Sequence, residues 1–332
     1  MPKLYRVFLL PIALCLAAVG SAQQDPMFTK YVFNGLIFNP AYAGSKDHLT
    51  VNLLHRSQWV GLEGAPTTQS FSAHSPLRNQ HVALGFSVVN DQIGATGTTD
   101  LSADYAYRIK MRNGWQWSLG VRASLANWRS NWNKLNLEDI GDDAFNENLS
   151  TWLPNFGAGA YVSNERYYLG FGSPRLVEYN LRKAATGNDA IYARTYRHYY
   201  ATAGAAFRMT NQNVIFRPSL LLKSTGFFSS FRQDALRYNV GSPTQISVDA
   251  AFFFFESLWV GGAFRTALEG RRSSSDSADL YVTWYLRNGL RVGAAYDLLL
   301  SDIRRAAGGS FELMLGYEFD VKIKRVATPR YF

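Results

Sequence analysis

The stretch TDLSADYAYRIK (Thr99–Lys110), the tetrapeptide MRNG (Met111–Gly114) and the stretch WQWSLGVRASLA (Trp115–Ala126) read as one β-hairpin. In the first arm Leu101, Ala103, Tyr105, Tyr107 and Ile109 alternate with Asp100, Ser102, Asp104, Ala106, Arg108 and Lys110. In the second, Trp117, Leu119, Val121, Ala123 and Leu125 alternate with Gln116, Ser118, Gly120, Arg122 and Ser124. A two-residue period sorts each arm into one apolar and one polar face. Both arms are long enough to cross a bilayer, which takes about 9–11 residues of tilted strand.

The same pattern recurs outward in both directions. Comparable segments lie at about 48–56, 67–74, 81–89, 155–163, 166–172, 199–208, 214–222, 245–255, 258–266, 279–287 and 290–300. Near the end Leu313, Leu315, Tyr317, Phe319, Val321 and Ile323 oppose Glu312, Gly316, Glu318, Asp320 and Lys322. The tally is about fourteen strands, an even number as in single-chain bacterial barrels. Short connections (Ser75 to Gln80, Met111 to Gly114, Ser163 to Arg166, Met209 to Asn213, Glu256-Ser257, Asn288-Gly289) alternate with long ones. The long ones are Ser57 to Pro66, Asn90 to Thr98, Ala126 to Pro154, Ser173 to His198, Lys223 to Thr244, Ala267 to Ala278 and Ser301 to Ser310. The expectation is an all-β, single transmembrane antiparallel up-and-down barrel with short periplasmic turns and long extracellular loops. Outer-membrane lipids are then its immediate surroundings.

Composition agrees. Of 332 residues, 15% are aromatic and only 18% charged, against roughly 25% charged in an average soluble domain. Mean hydropathy is nevertheless −0.15, too low for a bundle of apolar helices. Residues 1–22 read as a signal peptide: Lys3 and Arg6, an apolar run from Val7 to Val19, then Gly20-Ser21-Ala22. Its removal takes the only cysteine, Cys15, and leaves neither a disulfide framework nor a thiol metal site. The formal charge of +9 is dispersed along an exported chain, which argues against nucleic acid as a partner. Beyond the signal the expected divisions are 23–47 as a plug or periplasmic segment, 48–324 as the barrel and 325–332 as a periplasmic tail.

Chemistry is sparse. The five histidines (His48, His55, His74, His81, His198) have no zinc-site spacing, and His74-Ser75 abuts a predicted turn, not a catalytic centre. The acidic run Glu138 to Glu147 lacks the calcium-loop pattern. No catalytic, cofactor or metal site is expected. The predicted lumen face, however, carries Asp104, Arg108, Arg122, Arg217, Asp249, Arg265, Asp297 and Glu312. On the lipid face an Arg or Lys would cost about 2–4 kcal/mol at the midplane, so these charges are expected inside. Tyr and Trp near strand ends (Trp115, Tyr167, Tyr168, Tyr199, Tyr200, Trp259, Trp284) are expected in interfacial girdles. Glycines on inward positions, among them Gly85, Gly120, Gly157 and Gly159, permit close approach by something inside.

The densest pattern is DPMFTKYVFNGLIFNPAYAG (Asp25–Gly44), followed by RSQWVG (Arg56–Gly61) and GAPTT (Gly64–Thr68). Asn39-Pro40 and Ala43-Gly44 are turn chemistry, and so many aromatics suit packing against or inside the barrel. This block resembles the PorP/SprF family of outer-membrane proteins of the Bacteroidetes type IX secretion and gliding machinery. That family shows D-P-x-F-x-x-Y-x-F-N-x-x-x-x-N-P-A-Y-A-G, then R-x-Q-W-V-G and G-A-P-x-T. Later echoes are Tyr105 to Tyr107, Leu153 to Gly157 and Gly309 to Leu315; Phe311 stands where the family usually has His. The resemblance covers essentially the whole chain after the signal.

It implies a non-enzymatic accessory of secretion or surface display. The implied partners are secreted adhesin-like cargo with a type B C-terminal domain and peptidoglycan-associated periplasmic components. Candidate partner or plug contacts are Asp25, Pro26, Phe28, Tyr31, Asn39, Pro40, Tyr42, Gly44, Gln58, Trp59, Gly61 and Pro66. The alternative is an outer-membrane transport barrel for hydrophobic or small polar solutes.

Overall fold

The computed structural model describes residues 31–132, 148–181, 195–209, 213–225, 244–268 and 276–319. The signal segment, Asp25, Pro26, Phe28 and the C-terminal tail lie outside the described residues. The strands are β1 (Thr50–Ser57), β2 (Thr67–Pro76), β3 (Val82–Ile93), β4 (Thr96–Lys110), β5 (Gln116–Ser130), β6 (Leu149–Ser163) and β7 (Tyr167–Ser173). They continue with β8 (His198–Ala205, resumed as Phe207–Arg208), β9 (Val214–Thr225), β10 (Gln245–Phe254) and β11 (Leu258–Ala267). The last three are β12 (Ser277–Tyr285), β13 (Leu290–Leu299) and β14 (Ser310–Glu318). Each pairs antiparallel with its sequence neighbours, and β14 pairs with β1, closing a fourteen-stranded barrel.

The gap in β8 has a local cause. Gly204 pairs with Ser219 and Phe207 with Phe216, so the register is the same on both sides of Ala206. Pro218 on the facing strand has no N–H to donate, and the ladder skips there.

Burial alternates along the strands as the hydrophobic period demands; β4 from Leu101 to Ile109 and most of β5 switch at every residue. Outside, Leu119, Val121, Phe156, Leu169 and Leu280 are 57–63% exposed, an apolar band against lipid. Inside lie Ser72, Ser102, Asp104, Arg108 and Glu312, each under 5% exposed. Pairing of β14 with β1 joins the two ends of the sheet, as a sheet that spans a membrane requires. Among the described residues no helix is long and apolar enough to cross.

Two sequence expectations are corrected. Asn90 to Thr98 is not a long loop: β3 and β4 run on to Ile93 and from Thr96, leaving Gly94-Ala95 as a tight turn. Gly94 supplies the positive φ (54°) that this turn needs. Of the aromatics expected in girdles, Tyr168, Tyr200 and Trp259 point into the lumen, at 7%, 3% and 2% exposure. Tyr167-Tyr168 and Tyr199-Tyr200 are adjacent pairs, and strand alternation must turn one member of each inward.

Candidate functional site: a seated plug below an upper chamber

Before β1 the chain makes three short turns inside the barrel: a 3-10 turn at Tyr31–Phe33, one α-turn at Gly35–Phe38 and a 3-10 turn at Pro40–Tyr42. Asn39 joins the last two. Its Oδ1 accepts from Ala41 N at 2.9 Å, capping the last turn, while Pro40 fits the first position, where no N–H is needed. Tyr31, Leu36, Phe38, Ala41 and Tyr42 are all buried. This segment packs in the half of the lumen nearest the tight turns.

A bed of glycines seats it. A Cβ on Gly120 would overlap the main chain of Pro40 and Ala41, one on Gly159 the Asn39 carboxamide, and one on Gly172 the Phe38 carbonyl. Asn39 Nδ2 also donates to Ala160 O on β6 at 3.0 Å. Opposite, Asn34 donates to Ser70 Oγ (3.2 Å) and accepts from Ser72 Oγ (2.8 Å) on β2. Gly44 N donates to His74 Nδ1 at 3.1 Å. Asn34 and His74 are contacts that sequence reading missed. The signal available was Asn34's place in the N-terminal block and His74's inward parity on β2.

Charge fixes the segment in place. Arg122 on β5 pairs with Asp104 on β4 through Nε–Oδ1 (2.7 Å) and Nη2–Oδ2 (3.0 Å). The same guanidinium donates to the carbonyls of Leu36 (2.6 Å) and Ile37 (2.8 Å), the C-terminal end of the α-turn, where a cation is favoured. Arg108 holds Asp47 at 2.5 Å and Gln116 at 2.9 Å near the barrel's lower rim. The guanidiniums of Arg217 (5.4 Å) and Arg291 (5.6 Å) both lie within cation–π range of the Phe33 ring. Arg217 also stacks on Trp259 at 4.2 Å. The Tyr31 hydroxyl meets Ser219 at 3.0 Å, and Ser219 and Tyr281 both donate to Asp249. Burial raises the phenol pKa of Tyr31 and Tyr42, keeping both neutral.

All eight residues expected to charge the lumen are inside, none more than 5% exposed. They fall into separate clusters. Asp297 and Glu312 converge on Arg56, at 2.5 and 3.4 Å. Arg265 pairs with Asp279 at 3.1 Å. Arg56, Asp279 and Arg291 complete these clusters and were not among the expected lumen charges. Each sits on the inward parity of its strand, so the alternation itself carried the signal. Spreading buried cations over paired acids and rings spares the barrel uncompensated charge.

Arg56 belongs to a rim assembly built from the second sequence block. Its Nε donates to Gln58 Oε1 at 3.0 Å, and Gln58 N donates to Pro66 O at 2.9 Å, pinching the first long loop shut. Gly61 turns that loop at φ 92°. Trp59 N donates to Ser310 Oγ at 3.3 Å, and Val60 exchanges main-chain bonds with Gly308 and Gly309. Thus β1, its loop and the start of β14 are tied together.

Above the plug lies a chamber of about 490 Å³, floored by Ile37 and Phe38. Two gaps beside the plug are far smaller, about 30 and 10 Å³, room for a water or two. Among the described residues no three His, Cys, Asp or Glu side chains gather as a metal site.

These features define an outer-membrane β-barrel with its own N-terminal segment packed in the half of the lumen nearest the tight turns. The model of the family "Type IX secretion system membrane protein PorP/SprF" matches residues 20–317, and the chain belongs to that family. Among solved structures it is similar to Omp33 of Acinetobacter baumannii (11% identity, 83% of this chain and 100% of that one, TM-score 0.45). It is also similar to a FadL homologue of Pseudomonas aeruginosa (14%, 92% and 96%, 0.45) and to BamA of Haemophilus ducreyi (9%, 82% and 70%, 0.44). No curated protein matches the chain by sequence.

Proposed function

We propose that this barrel is a non-enzymatic binding component of the type IX secretion system. Its long-loop side engages secreted or surface-displayed cargo, and its plugged side meets periplasmic parts of the machine. The observation that carries this reading is the seating of residues 31–47. A segment held by Arg122, Arg108, Asn34, His74 and a glycine bed suits a barrel that holds partners better than one that passes solutes. Asn39, Pro40, Tyr42 and Gly44 are then plug residues that shape a periplasmic face. Gln58, Trp59, Gly61 and Pro66 shape the outer rim.

The test is recovery of partners from native outer membranes with a tagged barrel. A large secreted protein together with a periplasmic component is the expected result. Recovery of neither, with steady ion conduction by the intact protein, would replace this reading with that of a transport barrel.

A further inference from the structure

Three turns of the barrel's lower rim repeat one design. Leu77-Arg78-Asn79-Gln80 lies between β2 and β3, Met111-Arg112-Asn113-Gly114 between β4 and β5, and Leu286-Arg287-Asn288-Gly289 between β12 and β13. In each, the N–H of the fourth residue donates to the carbonyl of the first, at 2.9, 3.2 and 3.2 Å. The fourth residue takes a positive φ: 61° at Gln80, 84° at Gly114 and 89° at Gly289. The Asn Oδ1 accepts from the main-chain N–H two residues on, that of His81 (3.1 Å), Trp115 (3.3 Å) or Leu290 (3.1 Å). The first, third and fourth places therefore close the turn. The second place of a β-turn accepts most residue types, yet here it holds arginine every time. Arg78, Arg112 and Arg287 are exposed, and their side chains enter no ion pair among the described residues. On the same rim Lys110 ends β4, Arg166 precedes β7 and Arg208 ends β8, all exposed. Against these cations the described residues of the turns set two exposed acids, Glu165 and Glu256.

We propose that this rim binds the phosphate groups of anionic phospholipids in the leaflet that surrounds it. Depth selects that occupant. Where these cations sit, the outward face of the strand is still apolar at its last residue. Leu77, Met111 and Met209 are 44–46% exposed, and Leu286 follows the exposed Trp284 at the same parity. Arg78, Arg112, Arg208 and Arg287 are each the immediate neighbour of one of these apolar residues, within about 3.4 Å of chain. Their side chains start at the hydrocarbon edge, where a head-group layer about 5–7 Å thick begins on each side of the bilayer. An acidic protein would have to reach the same cations through that layer. The chemistry agrees: a guanidinium offers a phosphate two parallel N–H donors, and clustered cations favour anionic over zwitterionic lipid. The three repeated turns follow one another round the rim, separated only by the junction of β14 with β1, so their arginines form an arc. The β10–β11 turn, Phe255-Glu256, brings no cation and breaks the ring on the far side. This inference is independent of the partner-binding reading above.

The experiment places the full-length barrel in phosphatidylcholine vesicles with a trace of spin-labelled phosphatidylglycerol or spin-labelled phosphatidylcholine. Electron spin resonance reads the motionally restricted fraction of each label at the protein surface. Phosphatidylglycerol is expected to be favoured about threefold at low salt, and less as salt is added. Arg78→Gln, Arg112→Gln and Arg287→Gln together should remove about half of that preference or more. The turns keep their main-chain and Asn bonds, so the melting temperature should hold. Should the triple variant not insert, Arg112→Glu alone makes the test, with about a third of the preference lost. A control at the opposite rim, Arg129→Gln with Arg304→Gln and Arg305→Gln, removes the same charge and should leave the preference as in wild type. Equal restriction of both labels in wild type would overturn the proposal, as would an undiminished preference in the lower-rim variants. An equal loss in both triples would also overturn it, because net charge alone would then draw the lipid. If the lower-rim triple keeps its lipid preference but no longer recovers a periplasmic component from native membranes, the cations serve an acidic protein and the lipid assignment falls.

Discussion

The two halves of this barrel's lumen are made of the same strands and filled on different terms. In the lower half the plug fills the space and meets the wall directly: Arg122 serves Asp104 and two plug carbonyls, and Asn34 serves two serines. In the upper half the same wall encloses a chamber of about 490 Å³ floored by Ile37 and Phe38. The contrast runs along single strands. On β5, Gly120 and Arg122 touch the plug, while Ser124 and Trp128, only two to eight residues on, face the chamber. Below, side-chain volume has been removed so that main chain can approach; above, volume has been left open. One half is built as a finished interior and the other as an unfinished one.

The sharpest way to break this contrast is to refill the glycine bed. Gly120→Val puts a side chain where Pro40 and Ala41 run, and nothing on the strand can yield. The plug is expected to leave its seat, seen as protease cleavage near residues 31–47 that wild type resists. A bulky residue in the upper half, such as Ser124→Val, should leave that cleavage pattern unchanged. If both substitutions behave alike, the halves do not differ as described.

Next in size is Arg122→Met, which strands buried Asp104 and uncaps the α-turn. Removing one partner of a buried pair costs about 3–5 kcal/mol, and urea unfolding in lipid vesicles should register a loss of that order. Asp104→Asn added to Arg122→Met should recover part of it, because the orphaned charge is gone.

The neighbouring residue sharpens the comparison of inside with outside. Val121→Arg places a guanidinium on the lipid face and should cost about 2–4 kcal/mol in the same assay, with the plug still protected. Smallest is Asp47→Asn at the partly exposed lower rim. Arg108 is fully buried, so the loss should be about 1–3 kcal/mol, held down because Asn keeps an acceptor for the guanidinium and Gln116 supplies another.

Much of this was legible in the sequence because a barrel writes its fold as a period of two. Leu101 to Ile109 and Trp117 to Leu125 announced lipid-facing stripes, and the inward parity of Asp104, Arg122, Asp297 and Glu312 followed without further input. Parity does not say who pairs with whom. Arg56 meets Asp297 across a separation of 241 residues, and only closure of β14 on β1 brings them together. Parity also misled where aromatics were read by type alone: Tyr168, Tyr200 and Trp259 looked like girdle residues, yet they line the lumen. The Asn90 to Thr98 segment read as a loop because its Asn, Asp and Gly residues are poor strand formers. Pairing of β3 with β4 outweighs that preference. The N-terminal block announced packing through its aromatics and turn residues. Its seat on Gly120, Gly159 and Gly172 comes from three different strands and has no linear signature.

The central claim, that the lower lumen is a filled interior, is tested most directly by single-channel recording in planar bilayers. Wild type should show no steady conductance, and Gly120→Val, once shown to be folded and inserted, should open a stable pore. A large, steady conductance through the intact wild-type barrel would contradict it.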